Sequence, residues 1–220
     1  MRSQARKAWF YNLIRHPTKP KLIGNNIGIW WEDYQRLNGY DQNFVGWGCE
    51  DDDLRLRIHR VGLTVKSILR WTNTYHLWHP IEETHPDIWR NGLNVAYLKR
   101  PIRLSRCLNG LSKRTAEELV VRLVGQPEQA SAVEKVAPQL AKSTGDGERT
   151  EVEVLFQPGQ GSFTGNADCN ILVMSGKEAT GSRHGQADII LAASLPSTGA
   201  DEHPHVFRLD EFDKALGRVA

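Results

Sequence analysis

The stretch Gly46-Trp47-Gly48-Cys49-Glu50-Asp51-Asp52-Asp53-Leu54 decides how this chain is read. A bulky aromatic sits between two glycines, and four consecutive acids follow. Adjacent carboxylates repel one another, so a fold that packs four together needs a reason to keep them. An indole offers a flat apolar face. The acids accept hydrogen bonds from hydroxyls, and one of them can take a proton. These residue types suit a polyhydroxyl ligand. Downstream, Leu54, Ile58 and Val61 recur at i, i+4 and i+7, which predicts a helix over Asp51–Val61 with one stripe toward a core. Arg55, Arg57 and Arg60 are expected to face elsewhere. The acids then open a helix, where the macrodipole favours negative charge. Cys49 reads as a small buried residue whose neighbouring carboxylates raise its pKa.

Around this stretch the chain reads as α/β. Ala5–Arg15 is expected to be a short helix ended by Pro17, and Ile23–Trp31 a strand. Trp31–Leu37 reads as a helix closed at Asn38-Gly39. Leu63–Leu69 alternates as a strand does, Pro86–Tyr97 reads as a helix, and Leu98–Arg114 as a basic terminal helix or arm. Residues 115–150 are expected to be a partly helical linker, with Pro127, Pro138 and Gly145-Asp146-Gly147 breaking it. Beyond it, Val152–Phe156, Asn170–Met174, Asp188–Ala192 and Val206–Leu209 are expected strands of a small acidic α/β unit, 151–220, with a helix at Glu211–Leu216.

The 220 residues are 40% hydrophobic and 25% charged, enough for a packed core. Residues 1–114 hold 19 Lys and Arg against 10 Asp and Glu, a balance of +9. Residues 115–220 hold 9 against 16, a balance of −7. All seven Trp fall in the first 89 residues. The basic half attracts an anionic ligand or meets an oppositely charged second unit; composition alone leaves both open. The aromatic and basic residues of 1–22 read first as a solvated helix docked on the domain. Nucleic acid or a membrane surface is the rival reading. No apolar run is long enough to span a bilayer, and Ala8–Ile14 is too short and polar for a secretory core, so a soluble cytoplasmic protein is expected. Cys49, Cys107 and Cys169 are too scattered for a disulfide framework or a zinc site.

Four segments, in order, carry a resemblance: Gly24-Asn25-Asn26-Ile27-Gly28; Asn38-Gly39-Tyr40-Asp41; Phe44 to Leu54; and Tyr75-His76-Leu77-Trp78-His79-Pro80. The set is similar to the C-terminal, acceptor-binding half of GT-A-fold glycosyltransferases. It resembles the β-1,4-galactosyltransferase C-terminal region, bacterial family 2 glycosyltransferases and chondroitin-polymerase-type enzymes. The likeness covers about residues 20–114 and not the acidic unit. It implies inverting transfer of a hexosyl unit from a nucleotide-sugar donor to a glycan acceptor, as in bacterial surface polysaccharide synthesis. By position, Asp51 is then the catalytic base. Trp47, Glu50 and Asp52 bind the acceptor, and Gly24 and Asn26 approach the donor. His79, assisted by His76, ligates a catalytic Mn²⁺ or Mg²⁺. The nucleotide-binding βαβ half of such enzymes, with its Asp-x-Asp strand, is not found here. That implies a fragment of a longer enzyme, a companion chain supplying the missing half, or a carbohydrate-binding remnant without catalysis. A nucleic-acid partner is disfavoured, and a peripheral place at the inner membrane surface fits the basic half.

Overall fold

A computed structural model describes residues 2–16, 19–22, 26–72, 75, 77–100, 102–115, 118–125, 149–157, 161–174, 186–192 and 206–208. The chain divides into two compact units: Met1–Arg100 with Ser105–Lys113, and Pro101–Leu104 with Arg114–Ala220.

The first unit is helices and extended segments. Helices α1 (Arg2–Leu13), α2 (Trp31–Arg36), α3 (Glu50–Arg60) and α4 (Val95–Leu98) are joined by a 3-10 turn at Trp89–Asn91. Helix α3 organises the unit. Leu54 and Ile58 bury with Leu37 against Leu22, Ile29, Leu63 and Val65. Its Leu56 packs on the Cys49, Val95 and Leu98 cluster. Each such side chain stabilises by about 2 kcal/mol through the area it removes from water. The expected stripe of Leu54 and Ile58 is present, but the arginines do not all face away. Arg57 is fully buried and Arg55 nearly so. Four acids in the first turn and Arg57, His59 and Arg60 in the last complement the helix dipole.

The expected strands Ile23–Trp31 and Leu63–Leu69 do not form. Residues 26–30 and 63–68 carry no ladder, and 23–25 lie outside the described residues. From Leu63 to Ile68 burial still alternates residue by residue. The period-2 pattern is therefore real, but a strand also needs a neighbour to take its backbone hydrogen bonds. The expected helix Pro86–Tyr97 is split into the 3-10 turn and α4. The basic stretch after Leu98 is not a helix. Its later part is bound to the turn after α2. Asn38 donates Nδ2 to the carbonyls of Cys107 (2.9 Å) and Ser112 (2.8 Å), and its Oδ1 accepts from Ser112 N at 3.0 Å. A Cβ on Gly110 would stand 1.7 Å from Asn38 O, so this approach requires glycine.

The second unit holds a parallel sheet in the order β1-β2-β3-β4-β5. Its strands are Val121–Val124, Val152–Gln157, Cys169–Met174, Ile189–Ala192 and Val206–Arg208. Register places Val154 beside Ile171, and Ile171 beside Ile189. The continuous apolar runs of β2 to β4 suit a parallel sheet buried on both faces, and residues 189–192 are all buried. Strands β2 to β5 fall where the sequence places them. Strand β1 lies in the stretch read as linker. The expected helix Glu211–Leu216 and residues 126–148 of the partly helical linker lie outside the described residues. Two ion pairs tie the strand entrances: Arg114 to Glu151 through two bonds of 2.9 and 2.7 Å, and Arg149 to Asp168 at 2.8 Å. No described helix is long and apolar enough to cross a membrane.

Candidate active site

The site is a tight turn feeding a helix. Gly46 has φ 73°, Gly48 φ 92° and Cys49 φ 79°, so three of four consecutive residues are left-handed. Only glycine adopts this freely, and at Gly46 a Cβ would also stand 2.5 Å from Thr84 Oγ1. Two groups hold the turn. Thr84 Oγ1 accepts from Trp47 N at 2.7 Å and donates to Glu82 Oε2. Buried Asn94 donates Nδ2 to the carbonyls of Val45 (3.1 Å) and Gly48 (2.9 Å), and its Oδ1 accepts from Val45 N at 3.2 Å. The indole of Trp47 is left 39% exposed, with the His85 ring 4.1 Å from it, centroid to centroid.

The four acids have four different environments. Asp53 is fully buried and accepts from Arg57 Nε at 2.7 Å. Arg57 also donates to the carbonyls of Leu37 and Gly39, each at 2.8 Å. Arg100 lies 3.6 Å from Asp53 and 3.2 Å from Asp41. Asp41 in turn accepts from Tyr97 OH at 2.8 Å. Burial is the main reason the Tyr97 phenol is pushed up to about 12, with Asp41 adding to it. This network joins the Asn38–Asp41 turn to α3 and α4, and Asp53 belongs to it structurally. Asp52 pairs with Arg55 at 3.0 Å and keeps 22% of its side chain exposed.

Asp51 is half-buried, and its Oδ1 accepts a hydrogen bond from Tyr40 OH at 2.9 Å. Burial first, then the Asp51 bond and charge, push the Tyr40 phenol far above its ordinary value, so it remains a donor. Glu50 Oε2 is buried with no hydrogen-bond partner among the described residues. A buried acceptor in that state calls for a donor from elsewhere. The Cys49 thiol is pushed up, chiefly by burial and then by Asp52 and Glu50. A thiol held protonated is a poor nucleophile.

Trp47, Glu50, Asp51 and Asp52 thus come together within one turn and one helical turn. Asn26 stands elsewhere. It lines a cleft of about 630 Å³ with Pro20, Ile29, Lys66 and Ile68, which none of those four residues lines. Gly24 and His76 lie outside the described residues. His79 is on an exposed segment, with Nδ1 2.7 Å from Pro80 O. Among the described residues no three His, Cys, Asp or Glu side chains converge as cation ligands would. Sequence reasoning missed Tyr40, Thr84, His85 and Asn94. Each acts across 11 to 49 positions, and only the closeness of Tyr40 to the acid run hinted at a role.

A family model described as the N-terminal domain of galactosyltransferase matches residues 9–80. The chain is 40% identical over 102 residues to the xylosylprotein 4-beta-galactosyltransferase of Caenorhabditis elegans, covering 40% of this chain and 35% of that protein. Human beta-1,4-galactosyltransferase 4 is 29% identical over 80 residues, covering 34% of this chain and 23% of its own. Human beta-1,4-galactosyltransferase 6 is 40% identical over 45 residues, covering 20% and 12%. The chain therefore spans about a third or less of the length of these relatives, all from animals. No solved structure gives a significant match. The relatives are galactosyltransferases, and the similarity of residues 9–80 is to a galactosyltransferase domain.

Proposed function

We propose that the first unit is the acceptor-binding and catalytic half of an inverting GT-A-fold glycosyltransferase that moves a hexosyl unit from a nucleotide sugar to a glycan hydroxyl. The observation that carries this reading is Asp51, held through Oδ1 by Tyr40 in the same helical turn as the unsatisfied Glu50 Oε2. An alcohol is a weak nucleophile until its proton is removed, and a positioned carboxylate removes it. Asp51 takes that proton through Oδ2 as the acceptor oxygen bonds to the anomeric carbon. The bond to the nucleoside diphosphate breaks, and the leaving group departs with its electron pair. Glu50 and Asp52 accept hydrogen bonds from other hydroxyls of the acceptor. The exposed face of Trp47 stacks on the sugar ring.

Among the described residues, which do not include His76, the divalent cation expected from the resemblance finds no set of three converging ligands. His79 supplies one imidazole, and the other described residues supply no converging donors. Gly24 and Asn26 are proposed to approach the donor, whose nucleotide is held by polypeptide beyond the matched stretch.

The test is Asp51→Asn in the full chain, assayed with radiolabelled nucleotide sugar and a glycan acceptor. Transfer is expected to fall about 10²- to 10⁴-fold, the usual contribution of a general base, with an unchanged melting temperature. Normal turnover in a folded variant would overturn the assignment.

A further inference from the structure

The residues of helix α1 read from the sequence first as a solvated helix docked on the domain. The structure shows a different distribution. Ala8 is buried, and one turn later Asn12 is locked to the backbone of Ser67 by two hydrogen bonds, Nδ2 to Ser67 O at 2.8 Å and Ser67 N to Oδ1 at 3.0 Å. The opposite face carries Arg6, Trp9, Phe10 and Leu13, spaced i, i+3, i+4 and i+7 and all exposed. The large apolar groups of α1 therefore point outward: Phe10 is 51% and Leu13 63% exposed.

The segment that Asn12 grips extends the same surface. Ile68 and Leu69 are at least half exposed, and Arg70 lies over the Trp9 ring at 5.0 Å. Lys7 and Lys66 are exposed beside them in sequence. Residues 1–31 contain no Asp or Glu and six Lys or Arg, and residues 54–81 again contain no Asp or Glu. The neighbouring cleft is lined by one carboxylate, Asp33.

We propose that α1 and residues 66–71 form one face that docks on an anionic lipid bilayer. A helix lying in the interface sinks Trp, Phe and Leu among the acyl chains while its Arg and Lys reach the headgroup phosphates. The lack of carboxylates in both segments gives the charge complementarity that an anionic leaflet requires. Nucleic acid fits less well, because it offers no apolar layer for Leu13, Ile14 and Leu69. The two bonds at Asn12 make the face a fixed part of the unit rather than a loose arm.

The test is co-sedimentation of the full chain with phosphatidylcholine vesicles and with phosphatidylcholine–phosphatidylglycerol vesicles. Binding is expected only to the second, and to weaken with added salt. Arg6→Ala with Lys7→Ala is expected to reduce partitioning at least about tenfold, since each basic side chain near the surface is worth about 1 kcal/mol. Phe10→Ala with Leu13→Ala is expected to reduce it by a similar factor with the charge intact. Alanine keeps the helix, and circular dichroism checks it. Absence of binding by the folded chain overturns the proposal. So does a Phe10/Leu13 variant that binds vesicles as well as the parent does. If that variant also holds a duplex RNA with a steep salt dependence, the basic face serves nucleic acid instead. Vesicle binding is read without turnover, so a chain that transfers sugar but ignores vesicles overturns this inference alone.

Discussion

Arg57→Met should destabilise the first unit severely, although Arg57 touches no proposed substrate. Both Arg57 and Asp53 are fully buried, and their bond is 2.7 Å. Methionine fills much of the space but removes the closest charge partner of the buried Asp53 carboxylate, with Arg100 farther off at 3.6 Å. Breaking a buried pair from one side typically costs about 3–5 kcal/mol, because a charge is left uncompensated. The carbonyls of Leu37 and Gly39 lose a charged donor as well. That loss overlaps with the first, so about 3 kcal/mol is the floor. Whole domains are stable by about 5–15 kcal/mol, so this is a large fraction. Urea denaturation followed by tryptophan fluorescence is the assay. All seven Trp lie in the first 89 residues, so the signal reports this unit. Asp52→Asn is the control. Its pair with Arg55 is partly solvated, and it should cost less than about 1 kcal/mol. A loss below about 1 kcal/mol for Arg57→Met would refute the view that the last acid of the run is structural.

Gly110→Ala should destabilise the first unit by more than about 2 kcal/mol, since the added carbon would meet the Asn38 carbonyl and backbone must move; urea denaturation reads it. His59 has its pKa lowered, first by burial and then by Arg55, and its Nε2 is buried without a hydrogen-bond partner among the described residues. Below its unfolded pKa of about 6.5 the unfolded chain takes up the proton more readily, so stability should fall as pH drops from there toward the folded pKa. His59→Gln should flatten that dependence, and a variant whose pH profile matches the parent's would contradict the assignment. Tyr40→Phe should lower the transfer rate at saturating acceptor roughly tenfold in a variant that still folds, with a fall in melting temperature of a few degrees from the lost hydrogen bond to a charged group.

The parts of the fold legible in the sequence are those set by local pattern. Strands β2 to β4 hold the short apolar runs 154–156, 171–174 and 189–192, and burial on both faces of a parallel sheet is what such runs specify. Helix α3 is legible from Leu54 and Ile58 because the stripe and the core coincide. Arg57 is the instructive failure. Charge predicts solvent, but Asp53 one turn earlier and two carbonyls across the turn after α2 make burial possible. Residues 26–30 and 63–68 fail differently: their alternation is local, whereas a ladder needs a partner strand. Strand β1 is four residues long in a stretch whose Pro and Gly residues read as linker.

The site divides in the same way. Trp47, Glu50, Asp51 and Asp52 are adjacent in sequence, so their convergence follows from one turn and one helix. Thr84 and Asn94 act on the turn at residues 45–48 from 37 to 49 positions away. No local pattern marks them. The burial of Cys49 illustrates a shared outcome with a reordered cause. The carboxylates do raise its pKa, but burial contributes more.

The most direct test of the central claim is transfer of radiolabelled hexose from a nucleotide sugar to glycan acceptors by the full chain, with Asp51→Asn and Tyr40→Phe alongside. Expected are acceptor-dependent product with the parent chain once the nucleotide-binding half is supplied, a graded loss in Tyr40→Phe, and a loss of about 10²-fold or more in Asp51→Asn. Transfer that persists unchanged in a folded Asp51→Asn chain would contradict it.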